Sequence, residues 1–175
     1  MLSDLELNRI IQWLPYRDDW PIDRNQIDDG ISENYGALIT QFKTSKVFNL
    51  YIDQNGGMSN YLAFLCYPPN SIHYSGTGIL VFINLCAPVA TYGETDCTIS
   101  TGYYGHSSIL AENNGIITLP ALKDIENEIL KIFSTNKIFV LEQDFLVRKL
   151  PKETIDKIDF LLGDQYIHGI FQMAD

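Results

Sequence analysis

Charge is missing from the middle of this sequence. Residues 54–93 form a run of forty without one Asp, Glu, Lys or Arg, and only Glu94, Asp96 and Glu112 are added before Lys123. A stretch that cannot solvate itself through charge reads as buried sheet rather than linker. Cysteine is also scarce. The three present form an odd count without CxxC spacing, which excludes a disulfide scaffold and a zinc ribbon. Cys66 and Cys86 sit inside apolar runs and read as small buried hydrophobes. No Asn-x-Ser/Thr sequon occurs. The longest apolar run, 78–90, is interrupted by Asn84 and Pro88 and falls short of the roughly 18 residues a membrane helix needs. Acids stand in the opening Met1-Leu2-Ser3-Asp4-Leu5-Glu6 where a signal peptide would carry bases, so a cytoplasmic, soluble protein is expected.

Basic residues are few. Twelve bases against 22 acids give a net charge of −10, which would repel a phosphate backbone and excludes nucleic acid as the expected partner. A basic protein surface or a cation suits that field, although acidity also serves solubility alone. Residues 1–35 hold eight acids and three bases, so half of the excess lies in the first fifth of the chain. Asp18, Asp19 and Trp20 mark this acidic stretch.

What is present points to a single α+β domain over residues 1–175. Ser3-Asp4-Leu5-Glu6 has capping-box spacing and opens a helix predicted near 4–14, halted by Pro15. Short runs at 37–42 and 47–52 are rich in strand formers. Asn55-Gly56 signals a hairpin returning through 61–67, which Pro68 and Pro69 end. The run 79–86 is apolar at alternate positions of both parities, as in a central strand covered on both faces. Val89–Tyr92 continues it past Pro88, and two strands, 107–111 and 116–119, are predicted around Asn113-Asn114-Gly115. Leu119, Leu122, Ile125, Ile129, Ile132 and Phe133 recur at helical steps, with Thr118 as N-cap and Pro120 early in the helix. A strand over 138–146, a helix from Pro151 to a Gly163 C-cap, and a last strand over 166–171 complete the prediction. The architecture expected is a mostly antiparallel meander covered by N-terminal and C-terminal helices.

No catalytic signature stands out. Neither GxxxxGK[ST] nor GxGxxG occurs, so no nucleotide site is expected. Cys97 and His106, with Asp96 adjacent, are the one candidate thiol–imidazole constellation. His73, Glu94, Asp96 and His106 could donate to a metal, but their scattered spacing is a weak ligand pattern, and no metal or cofactor is expected. Six of the ten tyrosines lie between Tyr61 and Tyr104, among segments rich in Ser, Gly and Asn. Tyr on such loops makes a good protein-binding surface, with Tyr103 and Tyr104 the first candidates for exposure.

The run Gly78-Ile79-Leu80-Val81-Phe82-Ile83-Asn84-Leu85, the segment Pro88-Val89-Ala90-Thr91-Tyr92-Gly93-Glu94 and the closing residues 162–171 are similar in style to the immunity proteins of interbacterial toxin systems, polymorphic, contact-dependent and type VI. That resemblance covers composition and layout over most of the chain. It implies a non-catalytic protein that binds a basic cognate toxin and blocks it, with acids meeting the toxin's active-site surface. The contacts expected are Asp18, Asp19, Trp20, Glu94, Asp96, Tyr103, Tyr104 and His106. The competing expectation is a small hydrolase or metal-dependent enzyme using His106 with Cys97, Asp96 or His73. A homodimer meeting through the tyrosines is the third.

Overall fold

The uncharged middle of the chain forms the sheet. The computed structural model describes residues 35–53, 61–69, 73–84, 88–100, 103–106, 113–156 and 163–171. β1 (Asn49–Asp53), β2 (Tyr61–Tyr67), β3 (Tyr74–Asn84), β4 (Val89–Ser100) and β5 (Tyr103–His106) lie side by side in chain order as an antiparallel meander. β6 (Phe139–Val140) pairs in parallel with the start of β4. This is the α+β class with the mostly antiparallel sheet that the sequence predicts. β3 is the middle strand of the meander, as its apolar run requires.

Helices cover both faces, and that explains why β2 is buried at every position. On one face, α1 (residues 35–44) and α2 (Lys123–Thr135) present Leu38, Phe42, Ile125, Ile129 and Phe133 to Phe64, Ile79, Val81 and Ile83. On the other, α3 (Gln143–Leu146), α4 (Lys152–Ile155) and α5 (Tyr166–Ile170) pack with Leu141 and Phe171 against Leu65, Leu80 and Phe82. Asn84 ties the two layers together. Its carbonyl accepts the Tyr35 hydroxyl at 2.9 Å, and its amide donates to the Ile170 carbonyl at 2.6 Å. Among the described residues no helix is long and apolar enough to cross a membrane.

Several predicted strands are corrected. Val89–Tyr92 does not continue the 79–86 strand past Pro88 but opens β4, which runs antiparallel to β3 with Ala90 opposite Ile83. Residues 37–42 lie in α1, because Tyr35, Leu38 and Phe42 recur at helical spacing and bury one face. Residues 116–119 form no strand. Residues 166–170 form α5 instead, with Ile167, Ile170 and the following Phe171 turned inward and a capping box between Gln165 and His168. The strand expected over 138–146 shrinks to the two residues of β6, after which α3 begins. The helix near 4–14, the strand 107–111 and the Asn55-Gly56 turn lie outside the described residues.

Candidate functional site

Cys97 on β4 faces Gly76 on β3 and His106 on β5 in one cross-strand row. The next row is Ser75, Thr98 and Gly105. Neighbouring residues on a strand point to opposite faces, so the two rows serve different sides of the sheet. Cys97 and Ile99 face the layer built by the C-terminal helices. Asp96 and Thr98 face the side of α1 and α2, where Ala90 and Tyr92 are buried but Asp96 and Thr98 are exposed. The two helices therefore cover only the first part of β4. The uncovered part borders an open groove of about 430 Å³, lined by Ser75, Gly76, Asp96, Cys97, Thr98, Gly105 and His106.

The groove's polar groups are already positioned. The Thr77 hydroxyl donates to Asp96 Oδ1 at 3.1 Å, and the Ser75 and Thr98 hydroxyls sit 3.3 Å apart. Each pair joins β3 to β4. The result is a carboxylate and two hydroxyls held on a strip of sheet, a set of acceptors suited to a cationic group.

The thiol–imidazole pair is brought into register but not activated. Cys97 is only 4% exposed. Burial first, then the charge of Asp96, pushes its thiol up to about 11, while a bond from the Gly78 backbone works the other way. Asp96 stands on the opposite face, engaged with Thr77, and so is not placed to orient His106. His73 is exposed, one residue ahead of β3. Among the described residues no group of three or more His, Cys, Asp or Glu side chains is arranged to hold a metal ion.

Glu94 has a task inside the chain. Its Oε1 accepts the N–H groups of Thr118 at 2.5 Å and Leu119 at 2.7 Å, and its Oε2 accepts the Thr118 hydroxyl at 2.9 Å. Burial raises its pKa, but the bonds from Leu119 and Thr118, with Lys123 nearby, outweigh that and hold the carboxyl below its ordinary value. Thr118 is thus not the N-cap of the following helix. Its hydroxyl serves Glu94, and neither the 3₁₀ turn Pro120–Leu122 nor α2 has a side-chain cap.

The tyrosines belong mainly to the sheet. Tyr61, Tyr67 and Tyr92 are buried, and Tyr74 and Tyr104 are partly buried against the core. Tyr104, expected to reach solvent, packs against Tyr51 and against His106 at ring-centroid distances of 3.7 and 5.4 Å. Tyr103 lies on β5 opposite Ser100, and its side chain falls outside the described set, as do Asp18, Asp19 and Trp20. Sequence reading missed Ser75, Thr77 and Thr98. The polar alternation Glu94, Asp96, Thr98 against Thr95, Cys97, Ile99 was the available signal. No family model, no curated protein and no solved structure matches this chain.

Proposed function

We propose that this chain is a cytoplasmic, non-catalytic binding protein, most concretely an immunity protein that neutralises a basic toxin. The observation that carries the reading is Asp96, exposed and fixed by Thr77 beside the Ser75 and Thr98 hydroxyls, in a chain of net charge −10. The chain's net negative charge speeds encounter with a basic partner, and a carboxylate held in place on the sheet helps set its orientation. The test is affinity capture, followed by co-expression of the captured protein with and without this chain. A toxic, basic partner whose growth arrest this chain lifts, and whose binding weakens as salt rises, is the expected result. A captured protein that is harmless alone, or binding indifferent to salt, would speak against it.

A thiol- or imidazole-dependent enzyme is the second reading, favoured by the cross-strand register of Cys97 and His106. The raised thiol pKa weighs against it. Turnover of simple p-nitrophenyl esters that disappears in both Cys97→Ser and His106→Ala would favour the enzyme.

A further inference from the structure

We infer that the groove across β3, β4 and β5 seats an arginine side chain presented by the basic partner. The inference rests on the binding reading above and specifies its contact. Asp96 is the one carboxylate among the described residues that line the groove. Exposed ion pairs are usually weak, in part because two long side chains must be ordered to form them. Here one half of that ordering is already done. Asp96 is short, and Thr77 holds it through Oδ1 at 3.1 Å.

The acceptors are spread, and that selects the cation. Ser75 lies on β3 and Thr98 on β4, their hydroxyl oxygens 3.3 Å apart, two rows along from the Thr77–Asp96 pair and on the same face of the sheet. A lysine ammonium is a compact, strongly hydrated point charge that needs only one such centre. A guanidinium carries five donors in a planar fork and is less hydrated, so it can lie along the strip and reach the carboxylate and the hydroxyls together. Gly105, in the row of Ser75 and Thr98, borders the same groove without a side chain to fill it. The volume of about 430 Å³ lies within the range of ligand sites, roughly 300–1,000 Å³.

The test titrates ¹⁵N-labelled full chain with acetyl-Gly-Arg-Gly-amide and, separately, with the lysine analogue, and reads amide shifts. The arginine peptide should move the amides of Ser75, Gly76, Asp96, Thr98 and Gly105 above all others, and more than the lysine peptide does. Those shifts should vanish in Asp96→Asn and persist in Asp124→Asn, which removes an exposed acid from α2. Shifts scattered over the acidic surface, an equal response to lysine, or an unaltered response in Asp96→Asn would overturn the inference. The peptide reads the groove without any partner, so its failure leaves the neutralisation reading standing. Failure of the toxicity experiment would remove that reading alone.

Discussion

Tyr51 on β1 and Tyr104 on β5 stack with ring centroids 3.7 Å apart and planes inclined by 16°, although β2, β3 and β4 lie between their strands. In a flat sheet, four steps of about 4.8 Å would separate those two strands by roughly 19 Å. The sheet must therefore coil until its outer strands approach over one face. Tyr51 lies in the row of Leu65, Leu80 and Gly93, whereas Tyr104 pairs with Ile99, six residues further along β4. Closure is thus diagonal, as in a staggered, partly open barrel. The glycines of β3 make room for it. A Cβ on Gly78 would lie 2.9 Å from the Cys66 carbonyl and 3.3 Å from Cys97 Sγ, and one on Gly76 would meet the Tyr74 hydroxyl at 2.9 Å. The groove opens at this end of the sheet.

The stack should carry measurable coupling. A double-mutant cycle with Tyr51→Ala and Tyr104→Ala, followed by urea unfolding, should give an interaction of about 0.5–1.5 kcal/mol, the usual range for aromatic pairs. Additive losses would show that the two edges do not meet in solution.

Two glycines should respond with opposite sign. Gly78→Ala drives a methyl against a backbone carbonyl that cannot step aside, and should destabilise by about 1–3 kcal/mol. Gly36→Ala meets nothing within 4 Å and lies in α1, so it should stabilise by about 0.5–1 kcal/mol. Chemical denaturation of the two variants checks the contrast, and equal signs would contradict it.

Glu94 makes stability depend on pH. Glu94→Ala leaves the Thr118 and Leu119 donors without their acceptor and should lose about 1 kcal/mol at neutral pH, as removal of a cap does. The folded carboxyl has a pKa below its ordinary value of 4.5. Its contribution is therefore complete above that value and is lost as pH falls through the lowered one. Unfolding curves of parent and variant should converge in acid. A gap that widens toward low pH would contradict the assignment.

The state of Cys97 separates binding from thiol catalysis. With its thiol pushed up to about 11, the thiolate absorbance contributed by Cys97 should appear only in strong alkali, and its alkylation at neutral pH should be slow. Loss of the titration in Cys97→Ser assigns it. A thiolate present near neutrality would restore the enzyme reading.

How far this was legible follows from how much each element depends on distant neighbours. β2 was marked by its apolar run and by Pro68, and the core of β3 by apolar positions of both parities, since burial on two faces leaves a composition rather than a period. α2 showed its buried stripe directly. Residues 37–42 looked like a strand because they include Ile39, Thr40 and Phe42, and Tyr35 was needed to complete the helical spacing. In α1, Thr40 and Thr44 bond back to the carbonyls four residues earlier, Gly36 and Thr40. In α5, aromatic and branched residues imitate a strand, while the capping box uses Gln165 and His168 in place of the familiar Ser or Thr with Glu. The candidate site divided in the same way. Cys97, Asp96 and His106 were found by residue type, but Glu94 looked free only because its donors lie 24 and 25 residues onward.

The proposed function depends on Asp96 and its neighbouring hydroxyls engaging a basic partner. Calorimetric titration of the captured partner at low and high salt, against the parent and Asp96→Lys, tests it most directly. The expected result is affinity that falls as salt rises and is lost on charge reversal in an otherwise folded protein. Equal affinity for parent and Asp96→Lys at both salt concentrations would contradict it.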